Sequence, residues 1–136
     1  MQNSNSLQDV VKNFQEEVKE LEAIGIKNWA SLRKLEDRDL LVIVQKSRAT
    51  TRNLKFLRGM ASFICQVNLS HSEAALLLHA GIASPKALSS LTPSELIQKA
   101  GRLERQLNLG RKPYIDMEIA KKWVQRAKRA NSELTQ

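Results

Sequence analysis

Cysteine, histidine and aromatic residues are all scarce in this sequence, and each shortage bears on a class of function. Cys65 is the only cysteine among 136 residues, which excludes an intramolecular disulfide and a cysteine cluster for zinc. The two histidines, His71 and His79, have no plausible ligand partner, so neither a metal nor a cofactor is expected. Nothing pairs a nucleophile with a base, and no phosphate loop of the Walker kind is present, so an enzyme is not expected. The aromatics are confined to Phe14, Trp29, Phe56, Phe63, Tyr114 and Trp123, and the two tryptophans read as core rather than as base-stacking platforms. Long apolar runs are missing too: residues 40–44 and 74–78 are the longest, against the ~20 that a membrane-spanning helix needs. The start, residues 1–6, is polar and uncharged, without the basic and apolar parts of a secretory signal, so a cytoplasmic location is expected.

What the chain has in excess is positive charge. Twenty-two Lys and Arg face fourteen Asp and Glu, a net charge of +8. The excess is uneven. Residues 1–45 carry six cations and eight acids, whereas 46–64 carry Lys46, Arg48, Arg52, Lys55 and Arg58 and no acid, and 99–136 carry ten cations and four acids. Such clustering favours polyanions or an acidic protein as partners, while solubility alone is the plainer use of a basic composition. Between Asp39 and Glu73 there is no acid, and Ser47, Thr50, Thr51 and Asn53 lie among the cations there, the donor inventory of a phosphate-contacting surface.

A shift of 56 residues lays Leu21, Gly25, Ile26, Leu32, Leu35 and Leu40 on Leu77, Gly81, Ile82, Leu88, Leu91 and Leu96, identical at every pair. The shared pattern reads as a helix ending in leucine, a Gly-Ile connection, and a second helix closed by two leucines three apart with a third five further on. Two copies imply a small tandem of helical units within one domain, the units spanning about 7–45 and 54–101.

Local signals are helical throughout. Leu7, Val10, Val11, Phe14, Val18 and Leu21 fall on one face of a helical wheel. Ser70 with Glu73, and Thr92 with Glu95, read as capping boxes; Ser84 and Pro85 read as a cap and first helical residue. A basic helix is expected over about 114–130, with Ile119, Ala120, Trp123, Val124 and Ala127 inward and Lys121, Lys122, Arg126, Lys128 and Arg129 outward. Cys65 lies in the apolar 63–65 run and reads as a small buried hydrophobe. The fold class expected is all-α, without a sheet.

Three segments can form the tight turn of a helix-hairpin-helix unit: Ile24-Gly25-Ile26-Lys27, Val67-Asn68-Leu69-Ser70 and Ala80-Gly81-Ile82-Ala83. Such a turn exposes N–H groups where the next helix begins and so holds a phosphate without reading bases. The motif usually has glycine on both sides of the apolar residue; here Lys27, Ser70 and Ala83 stand in the second place, although Asn68 can take the left-handed backbone of a first glycine. The competing use of Gly25 and Gly81 is as helix C-terminal caps, with Ile26 and Ile82 as core plugs.

The two Gly-Ile units, the segment from Val67 to Ile82, and Pro113 followed by Trp123-Val124-Gln125-Arg126-Ala127 resemble a bacterial family common in cyanobacteria, the domain of unknown function 4332. The resemblance spans most of residues 15–128 and is best over 74–82 and at the Trp123 ending. It implies tandem helix-hairpin-helix or SAM-like units and, through them, nucleic-acid binding; it supplies no catalytic residue. The function expected is low-specificity binding of DNA or RNA backbone through Lys46, Arg48, Arg52, Lys55, Arg58, Lys121, Lys122 and Arg126 and through the turns. The alternative is an adaptor docking an acidic protein, without membrane or metal.

Overall fold

The computed structural model describes residues 14–103 and 115–134, and among these it is mostly helical with no β-strand. Leu7, Val10 and Val11 of the expected first amphipathic helix, and Pro113 and Tyr114, lie outside the described residues. The chain divides into two compact units, residues 1–62 and 63–136.

In the first unit, α1 (Gln15–Ala23), α2 (Trp29–Leu32) and α3 (Asp37–Gln45) precede α4 (Thr51–Gln66), whose last residues pass into the second unit. The apolar positions of these helices are the buried ones. Val18, Leu21, Trp29, Leu32, Leu40, Leu54, Leu57 and Met60 are almost wholly shielded from water. Burial of each such side chain contributes roughly 1.5–3 kcal/mol.

The second unit continues with α5 (His71–His79), α6 (Pro85–Ser89), α7 (Pro93–Leu96) running into a π-helical turn (Ile97–Gly101), and α8 (Met117–Leu134). α8 packs on α6 and α7. Ala120, Trp123, Val124 and Ala127 are its buried face, while Lys121, Lys122, Lys128 and Arg129 are exposed, as the wheel predicts.

The 56-residue shift carries whole elements onto one another. α1 falls on α5 at both ends, α2 and α6 begin at equivalent residues, and α3 falls on the combined span of α7 and the π turn. The turns match as well. Gly25 and Gly81 both have φ of 90°, a left-handed backbone natural to glycine. The Ile26 N–H donates to the Leu21 carbonyl at 2.9 Å and the Gly25 N–H to that of Glu22 at 3.0 Å; Ile82 to Leu77 at 2.9 Å and Gly81 to Leu78 at 3.1 Å repeat the pair. This is the Schellman arrangement, so both glycines act as helix C-terminal caps.

Two sequence expectations need correction. The single helix read through Leu32, Leu35 and Leu40 is two: α2 ends at Leu32, and a reciprocal box between Glu36 and Asp39 starts α3. Cys65 is exposed, not buried. It stands two residues from the fully buried Phe63, and two residues of α-helix rotate about 200°, to the opposite side.

Candidate nucleic-acid interface

The cationic stretch 46–58 crosses the α3–α4 connection and the first two turns of α4. Of its hydroxyl and amide side chains, those of Ser47, Thr50 and Asn53 are engaged inside the protein, whereas that of Thr51 makes no hydrogen bond among the described residues. Ser47 Oγ donates to the Ile43 carbonyl at 2.8 Å and accepts the Ala49 N–H at 3.2 Å. Thr50 Oγ1 caps α4 by accepting the Asn53 N–H at 3.1 Å. The Thr50 N–H and Asn53 Nδ2 both donate to Oε2 of Glu17, at 2.9 and 3.3 Å. Glu17 is only 4% exposed. A buried carboxylate therefore already stands where a phosphate would meet the start of α4.

The cations fall into two groups. Arg58 is tied down: its guanidinium donates to the Leu35 carbonyl at 3.1 Å and forms an ion pair with Asp37 at 2.7 Å. The hydrogen bond and charge of Arg58, with the charge of Lys55, hold the Asp37 carboxyl below the usual carboxylate range. Lys46, Arg48, Arg52 and Lys55 are exposed, and their side chains make no hydrogen bond or ion pair among the described residues. In the second unit, Lys121 and Lys122 are likewise open, whereas Arg126 is half-buried and donates to the Val67 carbonyl at 3.4 Å.

The turns have little left for a ligand. Asn28 Oδ1 accepts the Ser31 N–H at 2.9 Å, beyond Lys27, and Ser84 Oγ accepts that of Ala87 at 3.1 Å, beyond Ile82. Pro85 removes a further donor from the start of α6. Asn68 does take the left-handed backbone, φ 61°. Ser70 that follows it forms the expected capping box, its hydroxyl taking the Glu73 N–H while the Glu73 carboxylate takes the Ser70 N–H. In each unit the open chemistry is side-chain charge rather than turn amides.

Residues 12–130 match the family model described as Domain of unknown function (DUF4332). The chain belongs to this family. Among curated proteins and among solved structures, none matches it significantly. For this DUF4332 chain, then, the geometry itself has to carry the functional reading. No three His, Cys, Asp or Glu side chains gather as metal ligands among the described residues, and no described helix is long and apolar enough to cross a membrane.

The sequence missed Glu17, because in an acidic helix nothing sets it apart from Glu16 and Glu20, which are only partly buried. It also missed the capture of Arg58, whose partner lies 21 residues away.

Proposed function

We propose that the chain binds nucleic-acid backbone with little sequence preference, through the exposed cations of each unit rather than through hairpin amides. One observation carries this reading: Lys46, Arg48, Arg52 and Lys55 are all exposed and make no hydrogen bond or ion pair among the described residues, the charge of Lys55 acting on Asp37 without contact, within a stretch from residue 40 to 72 that has no acid. Exposed cations along a surface attract a polyanion by releasing its counterions, without contacts to base edges. The two repeats, each a helix, a glycine-capped turn and a shorter helix, are read as helix-hairpin-helix or SAM-like scaffolds that present these cations. The protein has no catalytic role in this reading.

The adaptor reading keeps one observation of its own. Leu41 and Val42, adjacent on α3, are 52% and 51% exposed, and Ile24 is 56% exposed, which supports a protein contact on the first unit.

Anisotropy titrations of the full chain against duplex DNA, structured RNA and single strands, over a series of salt concentrations, separate the two. Nucleic-acid binding predicts affinity that falls steeply with salt and varies little with base composition. Absence of binding at low salt to all three would leave the adaptor.

A further inference from the structure

The second repeat carries a cleft of about 560 Å³ beside its glycine turn, lined by Ala80, Glu95, Gln98, Lys99 and Arg102. Four of the five lining side chains are polar or charged. Small-molecule pockets are mostly apolar, and this one has a single alanine methyl and no aromatic ring for a base to stack on. Lys99 and Arg102 are exposed and make no side-chain hydrogen bond or ion pair among the described residues. Glu95 is already engaged, its Oε1 accepting the Thr92 N–H at 2.8 Å in the capping box of α7.

The first repeat shows how the cleft was made. The equivalent positions there are Ile24, Asp39, Val42, Ile43 and Lys46, and Ile43, in place of Lys99, is buried. In both repeats the leucine that leads this stretch, Leu40 or Leu96, is fully buried. The next inward position is Ile43 in α3, three residues on, but Ala100 in the second repeat, four residues on. The π turn at Ile97–Gly101 accounts for the shift, since its wider winding takes up an extra residue. Lys99 is thereby turned out of the core and onto the surface that holds Gln98 and Arg102.

We propose that this cleft seats a single phosphate group, with Arg102 and Lys99 supplying charge and the Gln98 amide a further donor. The phosphate belongs either to a nucleic-acid backbone or to a free phosphorylated molecule. The inference rests on the proposed function for the first source only.

Amide and Arg Nε NMR spectra of the full chain, titrated at constant ionic strength with inorganic phosphate, a mononucleotide and a short duplex, test it. With inorganic phosphate and the mononucleotide the expected result is saturable shifts confined to Gln98, Lys99 and Arg102, abolished in the double variant Lys99→Gln/Arg102→Gln and retained in Arg52→Gln/Lys55→Gln. The duplex should move these three residues together with the exposed cations of residues 46–55. With duplex, the first variant should also flatten the logarithmic salt slope by about one to two. Shifts with phosphate or mononucleotide but none with duplex would keep the cleft and overturn the nucleic-acid reading. Duplex binding with residues 98–102 unmoved by duplex, phosphate and mononucleotide, or phosphate shifts spread over exposed cations everywhere alike, would overturn the cleft and keep that reading. No shift with any of the three ligands would overturn the cleft. Because the titrations use the native chain, the result does not depend on the variants folding.

Discussion

Oε2 of Glu17 accepts the Thr50 N–H at 2.9 Å, joining α1 to the start of α4 across 33 residues of chain. The same oxygen takes Asn53 Nδ2, so one buried carboxylate orders the connection that carries the cationic stretch. Replacing Glu17 by Ala leaves both donors without a partner and should destabilise the protein by about 1–3 kcal/mol. Glu17→Gln keeps an acceptor oxygen and should cost less. Chemical denaturation of the two variants checks the order; equal stabilities would mean that the hydrogen bonds contribute nothing.

Gly25 and Gly81 share a φ of 90°, and a methyl group built on either would touch nothing within 4 Å. The cost of alanine there is therefore backbone strain alone, on the order of 1 kcal/mol at each site. Asparagine tolerates the left-handed region better, as Asn68 shows at φ 61°, so Gly→Asn should recover part of the loss. Thermal midpoints of the four variants are the measurement. Unchanged midpoints in both alanine variants would contradict the capping assignment.

The Asp37–Arg58 pair sets a pH dependence whose sign follows from the lowered Asp37 pKa. A carboxylate with a folded-state value below its ordinary value near 3.8 stabilises the fold at higher pH, and that contribution fades as pH falls through the lowered native value. Wild type should therefore exceed Asp37→Asn in stability near neutral pH, and the two should converge in acid. Denaturation midpoints of both proteins across an acid titration test this; a gap that widens toward low pH would reverse the sign.

Cys65 is exposed on α4, so a thiol reagent should modify it in the folded protein without prior unfolding. A modification rate that tracks global unfolding as denaturant is added would place the thiol in the core instead.

Much of the fold was legible because it is built from local signals. The repeat shows in six identical residues, and Ser70, Ser84 and Thr92 announce their helices because a hydroxyl at the N-cap, with Glu or Pro in the first turn, has few other uses. The α3 start was missed because Glu36 and Asp39 make the same reciprocal bonds with side chains less typical of that motif. Cys65 misled because a three-residue apolar run is shorter than a helical turn and does not say which of its members faces inward. The site was less legible than the fold. In sequence Thr50 and Asn53 look like ligand contacts and Arg58 looks open, whereas Glu17 takes the Thr50 N–H and the Asn53 amide and Asp37 pairs with Arg58. Both depend on partners more than twenty residues away, and periodicity carries no information about such pairings. The π turn that brings Lys99 to the surface leaves no mark in the apolar pattern.

The central claim is that open cations, rather than net charge, hold the polyanion. Its most direct test is the salt slope of duplex binding for three variants: Arg52→Gln/Lys55→Gln, Arg58→Gln, and Lys19→Gln, which stands among the acids of α1. The account predicts that the first flattens the logarithmic slope by roughly one to two units and weakens binding to all sequences alike. The other two should leave the slope nearly unchanged. Equal flattening per charge removed in all three would contradict it, as would a parent protein that shows no affinity for duplex at low salt.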